Sequence, residues 1–201
     1  MTGHEPRPYS LYALSAISVL LLASPAAAHS GTGLPGGVAA GFMHPFSGFD
    51  HMLAMVAVGL WGAFLGRPLI VLLPVIFPAV MALGGALGIA GVPLPPVEIG
   101  IALSVLVLGA MIAGAVRAPI WLACSLVAAF AIFHGYAHGT ELPSAADPIG
   151  YSLGFVLATG LLHVLGIGIG LINHRPGGVA ITRSAGALIA ACGAYFMVKA
   201  L

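Results

Sequence analysis

Charged residues are very scarce in this sequence. Asp, Glu, Lys and Arg make up only 5% of its 201 residues, whereas an ordinary soluble domain carries about 25%. Hydrophobic residues account for 60% of the chain. This composition excludes an ordinary soluble domain and indicates an integral membrane protein, with the lipid bilayer as its surroundings.

Basic residues and cysteines are also few, and each scarcity narrows the function. The formal net charge is +1 and the six Lys and Arg residues form no cluster, so we expect no nucleic-acid partner. Cys124 and Cys192 lie in separate apolar segments, which is typical of buried packing thiols rather than of a disulfide or a thiolate metal site. The motif G-x-x-x-x-G-K-[ST] does not occur, so ATP use through that loop is not expected.

Residues 1–28 have the pattern of a secretory signal peptide. A polar start with Arg7 precedes an apolar core, Leu11–Ala23, and Ala26–Ala28 form a small-residue cleavage site. We therefore predict that these residues are removed and that the mature chain begins at His29. An uncleaved membrane anchor is the alternative, because Glu5 offsets the charge of Arg7.

The rest of the chain, residues 29–201, is predicted to be a single all-α transmembrane domain. Turns rich in Gly and Pro separate six apolar segments, each near the roughly 20 residues that a bilayer-spanning helix needs. In the first segment, Pro45 suits the first turn of a helix that continues through His51. The segments lie at about 40–65, 69–90, 97–116, 119–138, 149–172 and 179–200.

Positive charge is unevenly divided between the two sets of loops. With the mature N-terminus outside, Arg67, Arg117, Arg175 and Arg183 all lie in or beside the cytoplasmic loops. Cytoplasmic loops of membrane proteins carry the excess of Lys and Arg. We therefore predict a bacterial cytoplasmic membrane protein with both mature termini in the periplasm.

Glycines four residues apart recur along the apolar segments. Such spacing puts both glycines on one helix face and lets two helix backbones approach closely. The pattern predicts a compact bundle, with Gly62 and Gly66, Gly84 and Gly88, Gly135 and Gly139, and Gly150 and Gly154 as the pairs.

Two short polar stretches lie within the apolar segments. Ionisable groups are costly in a bilayer and usually mark a functional site. The first stretch runs from residue 44 to residue 51 and the second from residue 133 to residue 141. Their ionisable residues are His44, Asp50 and His51 in the first, and His134, His138 and Glu141 in the second.

Helical spacing predicts how these side chains are arranged. His134, His138 and Glu141 stand at i, i+4 and i+7, which is one face of a helix if helicity persists through Gly139. His44 and His51, seven residues apart, would lie nearly in line on one helix. Both stretches fall in the outer half of the membrane in the predicted orientation, so we expect them to converge.

Imidazole and carboxylate ligands together favour Ni²⁺, Co²⁺, Zn²⁺ or Cu²⁺, whereas Mg²⁺ and Ca²⁺ prefer oxygen ligands alone. A loose His/Asp/Glu set also suits a permeation site, which must release its ion. Asp50 could bind the metal directly or orient a metal-binding imidazole. The alternative is that these side chains only form hydrogen bonds between helices.

Three further residues are weaker candidates. His163 stands alone within the fifth segment and favours a structural hydrogen bond over a metal ligand. Glu98 opens the third segment, where a carboxylate is favoured by the helix dipole. His29 would carry a free α-amine after cleavage and could chelate a metal, but the glycine-rich segment after it favours a solvated position. His174 is expected to be a solvated loop residue.

The two motifs together resemble those of the HupE/UreJ family, membrane proteins encoded with hydrogenase or urease systems and regarded as nickel permeases. The first reads His44-Pro45-x-x-Gly48-x-Asp50-His51 and the second Phe133-His134-Gly135-x-Ala137-His138-Gly139-x-Glu141, without departure from the family pattern. The resemblance also covers the signal peptide and the six-span plan. It implies Ni²⁺ as the metal and places the family's functional positions at His44, Asp50, His51, His134, His138 and Glu141.

The resulting hypothesis is a permease, not an enzyme, that takes up Ni²⁺ by facilitated diffusion and holds no prosthetic group. Co²⁺ stays open as a substrate, and so do proton coupling and a homo-oligomeric state. A membrane metalloenzyme with Glu141 as general base is one alternative. A metal sensor or an assembly partner of a larger complex is another.

Overall fold

The computed structural model of the chain describes residues 37–141 and 147–201, and all regular structure in these two ranges is helical. The predicted signal peptide and His29 lie outside the described residues. The helices are α1 Val38–Ser47, α2 Phe49–Leu65, α3 Leu69–Ile89, α4 Val97–Ala113, α5 Ile120–Glu141, α6 Pro148–Gly170 and α7 Gly178–Ala200, with a 3₁₀ turn at Leu171–His174 after α6.

Several of these helices can cross a membrane. By length and apolar composition, α3, α5, α6 with its 3₁₀ turn, and α7 each qualify as a span. Helices α1 and α2 qualify only as one bent pair, while α4 is apolar but has 17 residues. The membrane class and the helical architecture predicted from the sequence are thus confirmed, with four or five candidate spans in the described ranges.

The first predicted segment is not one straight helix. It breaks at Gly48, whose extended backbone (φ −97°, ψ 103°) separates α1 from α2, and the two helices meet at an angle of 88°. The expectation that Pro45 opens the helix was therefore wrong, because Pro45 lies buried near the end of α1. The expected alignment of His44 and His51 along one helix was wrong for the same reason.

Helix α2 lies at the centre of the bundle. Every residue from Ala54 to Ala63 is buried, and α2 packs against α3, α4, α6 and α7. Around it, α3 lies along α5, α4 lies along α7, and α6 packs on α1 as well as on α2. An apolar helix surrounded by other helices exposes no face to lipid, so α2 supplies the core of the domain.

The close approach of α3 and α5 depends on glycine at four positions. A Cβ at Gly84 or Gly88 would overlap the backbone of α5, and a Cβ at Gly135 or Gly139 would overlap the backbone of α3. Two of the predicted glycine pairs thus face one another. By contrast, Gly66 ends α2 with a positive φ of 81° and has open space around it, so it serves as a helix end rather than as a packing face.

A single methyl group at Gly135 should destabilise the fold. In Gly135→Ala the new Cβ would overlap the carbonyl group of Met81, and overpacking of this kind typically costs about 1–3 kcal/mol. Gly160→Ala is the matched control, since nothing lies within 4 Å of that position and Ala is the better helix former. We expect a lower unfolding temperature in detergent for Gly135→Ala alone; equal unfolding temperatures would contradict the close packing.

Candidate metal centre

The bend between α1 and α2 places His44 beside the C-terminal end of α5. His44 Nε2 lies 3.1 Å from Nδ1 of His138 and 3.2 Å from Oε2 of Glu141. One ligand atom from each of these three residues can be chosen so that all lie within 4.8 Å of one another. We call His44, His138 and Glu141 the outer cluster.

Helix α5 continues through Gly139 to Glu141, as the i, i+4, i+7 pattern requires. Its three ionisable residues therefore share one face, from His134 inside the bundle to Glu141 at the helix end. The His134 side chain is completely buried, whereas Glu141 is half-buried. The face thus leads from the end of the helix into the protein interior.

His51 and His134 form a second group, which we call the buried histidine pair. Their ring centroids are 4.7 Å apart in an edge-to-face arrangement, and the His51 ring also lies 4.5 Å from that of His138. His51 is therefore in contact with both the outer cluster and the interior. The two polar stretches, far apart in sequence, meet in one place.

Asp50 holds the His51 ring through its Nδ1 atom. Its Oδ1 accepts hydrogen bonds from the His51 backbone N–H at 2.7 Å and from His51 Nδ1 at 2.8 Å. With the Nδ1 proton committed to the carboxylate, the lone pair of a singly protonated ring is on Nε2. Within the described ranges Nε2 is buried and has no hydrogen-bond partner. Asp50 is thus placed to orient an imidazole.

His134 is oriented by a residue that the sequence reasoning missed. Ser104 of α4 donates its hydroxyl proton to the Ile101 carbonyl at 2.6 Å, and its Oγ lies 2.8 Å from His134 Nε2. Because the hydroxyl proton is used, Oγ accepts from Nε2–H and leaves a lone pair on Nδ1. That Nδ1 is buried and has no hydrogen-bond partner in the described part of the chain. A lone serine in an apolar helix was the only sequence signal.

Aromatic rings surround the histidines. Phe155 of α6 lies 4.4 Å from the His138 ring and Tyr151 lies 5.6 Å from the His44 ring, while Phe77 of α3 lies 5.5 Å from the His134 ring, all between centroids. Sequence reasoning did not find these three residues, since aromatic side chains in apolar helices are usually packing residues. Here they limit water access to the imidazoles.

The electrostatic surroundings of the outer cluster favour a cation. His44 is in the last turn of α1 and His138 in the last turn of α5, so two helix C-terminal ends direct partial negative charge towards it. Asp50 lies in the first turn of α2, where its carboxylate balances the partial positive charge of the N-terminal end of that helix. Within the outer cluster, Glu141 supplies one carboxylate, whose negative charge also favours a cation.

The remaining candidates lie elsewhere. Glu98 is exposed in the first turn of α4, where the helix dipole favours a carboxylate. His163 is buried within α6 and its ring lies 5.5 Å from that of Phe77. His174 is exposed at the end of the 3₁₀ turn, in agreement with its predicted solvated position.

Comparison with known proteins gives one consistent result. The family model described as "HupE / UreJ protein" matches residues 17–196. The Protein HupE of Rhizobium leguminosarum bv. viciae is 45% identical over 188 residues, which cover 93% of this chain and 98% of that protein. No solved structure gives a significant match.

Removing the carboxylate of the outer cluster should weaken cation binding. Glu141→Gln keeps the side-chain volume but removes one negative charge and a hard oxygen ligand. We expect the Kd for Ni²⁺ of the detergent-solubilised protein, measured by equilibrium dialysis, to rise by more than the roughly 10–100-fold typical of losing a group that only orients a ligand. His174→Ala should bind like the unchanged protein, and an unchanged Kd for Glu141→Gln would exclude this residue as a ligand.

Asp50→Asn tests the orienting role separately. The amide can no longer act as a charged acceptor for both His51 N–H groups, so the ring loses its fixed orientation. We expect the Ni²⁺ Kd to rise on the order of 10–100-fold, with the circular dichroism spectrum unchanged. A larger loss than that of Glu141→Gln would instead indicate that Asp50 is itself a ligand.

Proposed function

We propose that this chain, which belongs to the HupE/UreJ family, is a membrane permease for a divalent transition metal, with Ni²⁺ as its substrate. The observation that carries the proposal is the outer cluster, in which two imidazoles and a carboxylate from α1 and α5 lie within reach of one cation. Ligands of this kind suit Ni²⁺ and Co²⁺.

The distribution of charge along the helices supports an orientation. Asp50, Glu141 and Asp147 lie where α2 begins, α5 ends and α6 begins, whereas Arg67, Arg117 and Arg175 lie at the opposite ends of the same helices. Because basic residues face the cytoplasm, the outer cluster faces the periplasm of the bacterial cytoplasmic membrane in our proposal.

The proposal retains six membrane crossings. The bent α1–α2 pair counts as the first, and α4 as the third. With 17 residues, α4 stands at the short end of the range of roughly 17–25 residues that can span a bilayer. An interrupted apolar segment that carries the binding residues is also a recurrent feature of transporters.

The path inward begins at the outer cluster and passes to the buried histidine pair. The His51 ring contacts those of both His138 and His134. His51 Nε2 and His134 Nδ1, which have no hydrogen-bond partner within the described residues, offer lone pairs. A dication moving inward down a membrane potential of about 100 mV gains about 4.6 kcal/mol, twice the value for one charge. Facilitated diffusion therefore needs no ATP.

Nickel accumulation tests the proposal. His51→Ala removes the imidazole that links the outer cluster to His134, so we expect ⁶³Ni uptake by intact cells to be abolished while the protein stays in the membrane. His174→Ala is the histidine control and should accumulate ⁶³Ni normally. Normal uptake by His51→Ala, with equal amounts of protein in the membrane, would falsify the proposed path.

Purified protein in liposomes separates the permease from a metalloenzyme built on the same ligands. Flux of Ni²⁺ into the vesicles without any added organic substrate supports the permease. Competition by Co²⁺ and Zn²⁺ in the same assay defines the selectivity. Metal binding without flux would overturn the proposal and leave a sensor or an assembly partner as the better function.

A further inference from the structure

Helix α6 carries a row of four buried side chains that starts at the proposed metal centre and continues beyond it. Tyr151, Phe155, Thr159 and His163 are spaced four residues apart and all are buried. Residues at this spacing lie on one helix face. Tyr151 and Phe155 contact the rings of the outer cluster, so Thr159 and His163 lie one and two turns deeper, about 6 and 12 Å past Phe155 along the helix.

Thr159 and His163, which we call the deep pair, are polar groups without a structural explanation. Thr159 is 0% exposed and His163 is 2% exposed. In the described part of the chain, neither Thr159 Oγ1 nor His163 Nε2 has a hydrogen-bond partner. A buried polar group without a hydrogen-bond partner destabilises the folded protein. A histidine that holds helices together does so through a hydrogen bond of a ring nitrogen, and Nε2 of His163 makes none within the described residues.

The deep pair is connected to the buried histidine pair through one aromatic ring. The ring of Phe77 lies 5.5 Å from that of His134 and 5.5 Å from that of His163. The backbone of His163 is also closely held, because Gly59 of α2 packs directly on its carbonyl group. A firmly held backbone limits the positions that the imidazole can take.

We propose that Thr159 and His163 form a second, deeper binding site for the transported cation, with His163 Nε2 as a ligand and Thr159 Oγ1 as a neutral oxygen donor. The proposal rests on the permease function proposed above. Both donors are uncharged, so this site binds the cation more weakly than the carboxylate-containing outer cluster. Weaker binding further along the proposed path favours onward movement of the ion.

Transport and binding measured on the same variants test the deep site. His163→Gln keeps a hydrogen-bonding side chain of similar length but removes the imidazole ligand. We expect ⁶³Ni uptake to fall on the order of tenfold or more, while the Kd of the outer cluster for Ni²⁺ stays unchanged. Thr159→Val should cause a smaller loss, and Thr182→Val, at a hydroxyl on α7 that is equally buried and unpartnered in the described residues, should cause none.

Two outcomes overturn the deep site. Normal uptake by His163→Gln shows that the imidazole is not needed, and loss of uptake together with loss of outer-cluster binding shows a structural role. Absence of uptake in the unchanged protein would instead overturn the permease function itself.

A binding measurement that needs no transport keeps the two proposals separate. In a chain with Cys124→Ser and Cys192→Ser, His163→Cys places a thiol at the deep site as the only cysteine. Addition of Cd²⁺ to the detergent-solubilised protein should produce the ultraviolet absorption of a cadmium–thiolate bond, and Ni²⁺ should compete. Lack of that absorption, with Cd²⁺ still bound by the outer cluster, overturns the deep site.

Discussion

The turn of 88° at Gly48 is the constraint on which the candidate metal centre depends. It sends His44 to the end of α5 and His51 to the middle of the same helix face, so two residues seven apart in sequence contact His138 from different sides. In a continuous helix, these two imidazoles would stand about 10 Å apart along the axis. They could not then both reach one α5 histidine. The interruption of the apolar segment thus creates the site, as in transporters with broken helices.

In each member of the buried histidine pair, one ring nitrogen is held by a hydrogen bond. The other ring nitrogen has no hydrogen-bond partner within the described residues and carries a lone pair. Asp50 fixes His51 through Nδ1, whereas Ser104 fixes His134 through Nε2. The Asp50 carboxylate is charged, whereas the Ser104 hydroxyl is neutral. The carboxylate strengthens His51 as a ligand near the entrance, while the neutral hydroxyl leaves His134 a weaker one further in. The strength of the two imidazole ligands thus decreases in the inward direction of the proposed path.

The local sequence pattern predicted part of the arrangement of the candidate site residues and could not predict the rest. The face of His134, His138 and Glu141 depends only on helical spacing, so it was predictable once helicity persisted through Gly139. The break at Gly48 was not, because glycine is tolerated in membrane helices and nothing local shows that this one is extended. Ser104 and Phe155 were missed for another reason: their roles depend on which helices pack together, and that information is tertiary. For the lone His163 the sequence favoured a structural hydrogen bond, and only the fold shows that its ring contacts Phe77 and that its Nε2 has no hydrogen-bond partner among the described residues.

The packing of the bundle sets the surroundings of the proposed ion path. Glycines bring α3 close to α5 and α2 close to α6, so the helices that carry the histidines pack with their backbones in contact. In such surroundings a cation keeps a low energy only where protein ligands replace its hydration shell. The outer cluster supplies charge, the buried histidine pair supplies two lone pairs, and the deep pair supplies neutral donors only. In the proposed path the binding strength therefore declines inward, and this decline is compatible with net movement because the membrane potential favours the cation increasingly towards the cytoplasm.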